Sequence, residues 1–346
     1  MEDDLVDYII ESYVTKKYHK PTIYECNNEL TFENGVLKFT KYATFETLTR
    51  RIQSLNGISA RQVKVIDYTE ISDVLVGKPY SLKQHFANLK KLVKIKFGTN
   101  FDTSNVDDMC EMFLFCESIE SLDLSSFNTS NVKTMEGMFR SCRELKKIVF
   151  GVDFNADIVT NMSRMFFNCA SLKSLDLSTF NAPCVLDMSY MFYDCHALRT
   201  LDMSSFTSNL IQNMEYMFGF CVCLKSINMV NISHSPEHIN AESMFYMCSA
   251  LSSVIMNLNN CHSAIEHELH RCTESHVWHG TRNIIRTRLS VIASESDNEV
   301  FSDASESSSE RSSDTSSVSS SVSSSESSSE NLTNVCQLVK RLLRHH

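Results

Sequence analysis

The sequence predicts an α/β repeat solenoid of short parallel strands plus helices, with a small α+β N-terminal cap and a disordered acidic Ser-rich tail. Three observations carry this. The pair Met-Phe recurs on Phe113, Phe139, Phe166, Phe192, Phe218 and, as the last copy, Phe245, at steps of 26, 27, 26, 26 and 27 residues. A cysteine follows each Phe by three places (Cys116, Cys142, Cys169, Cys195, Cys221, Cys248), and Ile119, Leu145, Leu172, Leu198, Leu224 or Leu251 by six. Five places before each Phe stands Asp108, Thr134, Asn161, Asp187, Asn213 or Asn240.

Residues 1–80 precede the array. Leu5, Ile9, Tyr13 and Val14 make an apolar stripe that predicts a helix. "ELTFENGVLKF" alternates around Asn34-Gly35, a strong hairpin signal. A second helix is predicted in "TFETLTRRIQSL" and a strand in "QVKVIDYT". Such a unit caps the first repeat, which a solenoid needs.

Residues 81–258 hold about seven copies, a weaker first one being carried by Phe86, Leu89, Leu92, Ile95 and Phe97. Asp, Thr and Asn accept hydrogen bonds from the orphan N–H groups of a first helical turn, so the column five before each Phe predicts six helix starts. Met162, Met165, Phe166 and Cys169 then fall at helical spacing, and Leu172, Leu175 and Leu177 at strand spacing. One such unit cannot bury its own apolar face, so copies must stack. The Met-Phe stripe and the cysteines are expected in the core, the thiols acting as small hydrophobes. On the strands' other face stand Asp123, Asp176, Asp202 and Asn228, the candidate partner-binding column. Asp176 and Asp202 are expected on adjacent strands, where like charges repel unless compensated.

The pattern "NMSxMFxxCxxLxxLDLSxFN", over 162–181 and again over 188–206, resembles the BspA-type leucine-rich repeats of about 26 residues found in bacterial surface lipoproteins, protists and large DNA viruses. The resemblance implies a horseshoe-like repeat fold and, in bacterial relatives, adhesion or partner binding. It supplies no catalytic residues.

After the array, 259–293 is read as a C-terminal capping segment. It holds Cys261, His262, His267, His270, Cys272, His276 and His279, whose spacings match no zinc signature. Residues 294–330 carry nine acidic side chains and one Arg, a net of −8 within a chain total of −10. Twenty of the 36 residues from 294 to 329 are serine, a composition that predicts disorder. Ser294, Ser296, Ser307, Ser323 and Ser327 each precede an acid by three places, which suits an acid-directed kinase. Residues 331–346 read as a basic amphipathic helix presenting Lys340, Arg341 and Arg344 to a partner or an anionic membrane.

Outside the tail the charge is near neutral, with no clustered basic face, so no nucleic-acid partner is expected. No nucleophile–base pair or phosphate loop stands out, so the chain is expected to be no enzyme and to need no cofactor or metal. The N-terminus lacks a basic, apolar leader and no run approaches a membrane span. Thirteen cysteines are then expected reduced, in an intracellular protein of host cytoplasm or virion. The function expected is a monomeric interaction scaffold for a protein partner. Two alternatives stand beside it: a surface or adhesion protein exported without a conventional signal, and a metal-binding protein using the 261–279 cluster.

Overall fold

The computed structural model describes residues 24–26, 28–52, 60–72, 79–232, 239–256, 265, 267 and 268. Strands β1 (Tyr24–Cys26), β2 (Leu30–Glu33) and β3 (Val36–Phe39) form an antiparallel meander. Asn34 (φ 52°) and Gly35 (φ 83°) turn β2 into β3, both left-handed as a two-residue hairpin requires. Helix α1 (Phe45–Thr49) is a single turn whose first N–H groups are met by Thr44, its hydroxyl 3.3 Å from the Thr47 N–H. From β3 the pairing becomes parallel, through β4 (Val65–Asp67) to β6 (Lys94–Lys96), so the N-terminal unit runs directly into the repeat sheet. The helix expected from Leu5, Ile9, Tyr13 and Val14 and the 331–346 segment lie outside the described residues.

The chain then winds as a β-solenoid of about seven coils, numbered here 1 to 7 by their Phe86, Phe113, Phe139, Phe166, Phe192, Phe218 and Phe245. One side of the coils carries β6, β8 (Ser121–Leu124), β9 (Lys147–Phe150), β10 (Thr200–Asp202), β11 (Ser226–Met229) and β12 (Ser253–Met256). The opposite side begins with β5 (Tyr80–Ser81) paired to β7 (Val106–Asp108) and continues as parallel bridges through Thr134, Asn161, Asp187, Asn213 and Asn240.

Among the described residues the helices expected in the repeats are absent, and this corrects the α/β reading. The six capping residues do accept a backbone N–H, but from two residues on. Asn161 Oδ1 takes the Ser163 N–H at 2.8 Å and Asp187 Oδ1 that of Ser189 at 2.8 Å. That geometry starts a turn instead of a helix. In coil 4, Met162, Arg164, Phe166 and Asn168 each donate their N–H to the next coil, at 2.7–2.9 Å. Met165, Phe167 and Cys169 instead donate three residues back, to Met162, Arg164 and Phe166. Arg164 and Asn168, the third residues of two of these turns, both have φ 56°, as a type II turn demands there. Every coil repeats this pair of left-handed residues, two before and two after its Phe.

A left-handed conformation costs about 1–2 kcal/mol for a residue with a Cβ. Stacking offsets it. The seven Phe rings form a continuous pile with centroids 5.2–5.7 Å apart and planes within 3–16° of parallel. Each such buried side chain is worth about 1.5–3 kcal/mol. The Met-Phe stripe and the leucines fill the same core, nearly all fully buried. A ring spacing this close to that of paired strands, about 4.8 Å, leaves no room for helices about 10 Å wide. The horseshoe implied by the resemblance, with helices along one side, therefore loses its physical basis.

The strand side is interrupted. Among the described residues β8 pairs only with β9, and β10 pairs with β11, which pairs in turn with β12, while residues 172–177 of coil 4 form no strand. Among the described residues, Cys110, Cys116, Cys142, Cys169, Cys195, Cys221, Cys223 and Cys248 are free thiols. Cys184 is disulfide-bonded, which departs from the expectation of reduced thiols throughout.

Candidate functional site

The predicted partner column is present as a series of turns. Asp123, Asp176 and Asp202 are exposed and Asn228 is half-buried. Each accepts the backbone N–H two residues on: Ser125 at 3.1 Å, Ser178 at 2.9 Å, Ser204 at 2.9 Å and Val230 at 3.3 Å. The serine donors hold the Asp123 and Asp176 carboxyls below the usual carboxylate range. The register opposes Asp123 to Val149 and Asp202 to Asn228. Asp176 lies in the strandless stretch, so the expected strand pairing of Asp176 with Asp202 does not form. Lys340, Arg341 and Arg344 lie outside the described residues.

The cysteine column is a structural element. Each thiol donates to the carbonyl of the Phe one coil back, from Cys116 to Phe86 at 3.1 Å through Cys248 to Phe218 at 2.9 Å. Burial pushes the Cys221 thiol up to about 12 and its neighbours likewise upward, so thiolate chemistry is suppressed. Of the 261–279 cluster only His267 is described, and it is exposed beside Glu268 at 3.8 Å. Among the described residues no three metal-binding side chains converge.

A surface unforeseen in the sequence lies on the turn side of coils 4 to 7. Phe167 and Tyr193 stack at 5.0 Å, and Arg140 lies 5.3 Å over the free face of Phe167. Beside them Tyr190 and Tyr216 stack at 5.2 Å, with Arg164 5.2 Å over Tyr190. Both columns thus run guanidinium, ring, ring along consecutive coils. Phe220 and Tyr246 close the cluster edge-on, Phe220 5.4 Å from Tyr193 and Tyr246 5.3 Å from Phe220. Gly219 makes this possible: a Cβ there would stand 2.9 Å from the Tyr193 ring and 3.2 Å from Tyr216.

All six rings are half-buried or exposed, Tyr246 being 44% exposed and Met247 beside it 43%. Burial and the Glu215 carboxylate 2.9 Å from the Tyr190 hydroxyl push that phenol up to about 12. Burial raises Tyr193 as well, so both stay protonated donors at neutral pH. The letters were visible in the phrases "SRMFF", "SYMFY" and "EYMFGF". A helical register could not align them, because it places consecutive coils too far apart for rings to stack.

The family described as "Mycoplasma protein of unknown function, DUF285" matches residues 59–150 and 151–258, more than half of the chain. No curated protein matches it. Among solved structures, the chain is similar to a leucine rich cell surface protein from Faecalibacterium prausnitzii A2-165, with 15% identity, coverage of 71% of this chain and 97% of that one, and a TM-score of 0.23. It is also similar to a leucine-rich repeat protein from Bacteroides ovatus ATCC 8483, with 16% identity, coverage of 67% and 76%, and a TM-score of 0.23. The intracellular placement expected from the sequence is corrected here. The lack of a membrane-length apolar helix among the described residues says nothing of compartment, so it gives that placement no support.

Proposed function

Because the chain belongs to the DUF285 family and its coils are BspA-type leucine-rich repeats, we propose that it is a non-enzymatic interaction protein binding a protein partner through the aromatic face of coils 4 to 7. The observation that carries this reading is the cluster of Phe167, Tyr190, Tyr193, Tyr216, Phe220 and Tyr246, held half-exposed by mutual stacking. Tyrosine and phenylalanine offer large contact area at little cost in side-chain freedom, and Tyr adds a hydroxyl donor at the rim. Here the rings are fixed before any partner arrives, which lowers the entropy lost on binding. The strand-side Asp column is the weaker candidate, since its acceptors already serve their own backbone.

Full-length Tyr193→Ala/Tyr216→Ala and Asp176→Asn/Asp202→Asn variants, used as bait with the parent, test the two faces against each other. A partner recovered by the parent is expected to fall at least about tenfold with the tyrosine variant, as loss of interface anchors entails, and to persist with the aspartate variant. The reverse pattern, with both variants folded, would move the site to the strand side.

A further inference from the structure

We infer that the chain's own acidic segment, 294–330, docks on a column of basic side chains running along coils 3 to 6. The column stands seven residues after each Phe and consists of Lys146, Lys173, Arg199 and Lys225, all exposed. Backbone bonds hold it in line: the Arg199 N–H reaches the Lys173 carbonyl at 3.2 Å, and that of Lys225 reaches Arg199 at 2.7 Å. Lys146 is answered by Glu120 at 3.0 Å. Lys173, Arg199 and Lys225 make no side-chain ion pair or hydrogen bond among the described residues.

Three uncompensated like charges, repeating at about the strand spacing of 4.8 Å, sit within one Debye length of their neighbours, about 8 Å at physiological salt. Asp176 and Asp202, three residues on from Lys173 and Arg199, are turned to the Ser178 and Ser204 N–H groups. The column therefore suits an extended chain that brings an acid to each coil. The sequence contains one such chain, with nine acidic residues and a single Arg between 294 and 330. Tethering makes the encounter intramolecular and raises its effective concentration to the millimolar range or so. Reach is no obstacle: β12 already pairs beside coil 6, and at up to about 3.3 Å per residue the chain from 268 to 294 exceeds the length of the column several times over.

The test is zero-length carbodiimide cross-linking of the full-length protein at low salt, with the products mapped by mass spectrometry. Docking predicts amide bonds from Lys173 or Lys225 to carboxylates of 295–330, formed within single chains when ¹⁴N and ¹⁵N proteins are mixed. Their yield should fall at least about fivefold in roughly 0.5 M salt, as screening requires, and the Lys225 product should fall by a similar factor in a Lys173→Gln/Arg199→Gln variant, which keeps the Lys225 amine. That variant replaces exposed side chains only, and its thermal midpoint checks that it folds. Cross-links from the segment to Lys340 in place of the column would overturn the inference, as would mixed-isotope products or a Lys225 yield untouched by the Lys173→Gln/Arg199→Gln substitution. If no product forms while heparin or polyglutamate binds the parent and not the variant, the column serves an external polyanion and the inference fails.

Discussion

The thiol of Cys169 donates to the carbonyl oxygen of Phe139, 3.2 Å away on the preceding coil, from a site with no solvent access. The bond ties the Cys column to the ring pile, and its environment fixes what the position tolerates.

Cys169→Ala is expected to lower stability by roughly 1 kcal/mol, a small lost contact and a small cavity. Cys169→Asp should prevent folding, because a buried carboxylate without a partner costs several kcal/mol or more. Urea denaturation of both decides it, and equal stabilities would show that the column is not buried. In the native protein a thiol reagent should modify exposed Cys223 and spare Cys169.

The left-handed positions invert an ordinary expectation. Met247 (φ 59°, 43% exposed) would lose about 1 kcal/mol on replacement by Gly if it lay in a helix. In a left-handed turn, relief of backbone strain offsets the larger unfolded-state entropy, so Met247→Gly should stay within about 0.5 kcal/mol of the parent. Gly137 (φ 56°) is the converse. Its Cβ would stand 3.2 Å from Glu111 Cγ, and Gly137→Ala should cost about 1 kcal/mol. Thermal midpoints of the two variants separate turn from helix.

His85 is buried, with Nε2 3.0 Å from the Tyr68 hydroxyl, and burial pulls its imidazole down to about 4. The unfolded chain, at about 6.5, takes up the proton first. Its contribution is therefore complete above pH 6.5 and is lost as pH falls from 6.5 toward 4. Unfolding free energy should drop between pH 7 and 5.5 with a slope of up to about 1.4 kcal/mol per pH unit. A His85→Gln protein, less stable at pH 7, should show a flatter profile over that interval, and an unchanged slope would assign it to other groups.

Asp202→Asn preserves the oxygen that meets the Ser204 N–H at 2.9 Å, whereas Asp202→Ala removes it. The Asn variant should match the parent, and the Ala variant should lose about 0.5–1 kcal/mol. Calorimetry can resolve the pair, and equal losses would mean that the charge, not the acceptor, stabilises the turn.

Much of the stack was legible in the letters. The period fixed which residues superpose, and the strands pair as it required, with Leu122 opposite Ile148 and Leu201 opposite Ile227. The helices were not legible, because a side-chain oxygen at Asn161 and apolar residues at Met162, Met165, Phe166 and Cys169 satisfy a helix and a run of tight turns equally. What separates the two is the destination of alternate N–H groups, such as Phe166 to Met191 on the next coil, a bond 25 residues long in sequence. The aromatic face was lost through the same error, since Tyr193 meets Tyr216 and Phe220 only when the coils lie about 5 Å apart.

The unbroken turn ladder and the interrupted strand ladder give the array an uneven mechanics. Bridges run without a gap from Asp108 to Asn240, whereas pairing on the far side breaks between β6 and β8 and again, across the strandless coil 4, between β9 and β10. The coils are thus bound along one edge, as pages are along a spine. Load applied across the stack would fan open the strand side first at the wider of these gaps, between residues 147–150 and 200–202, and leave the ring pile intact as the axis of bending. The leucine strands by which such repeats are known are, in this chain, the compliant margin, and the Met-Phe-Cys turns are its backbone.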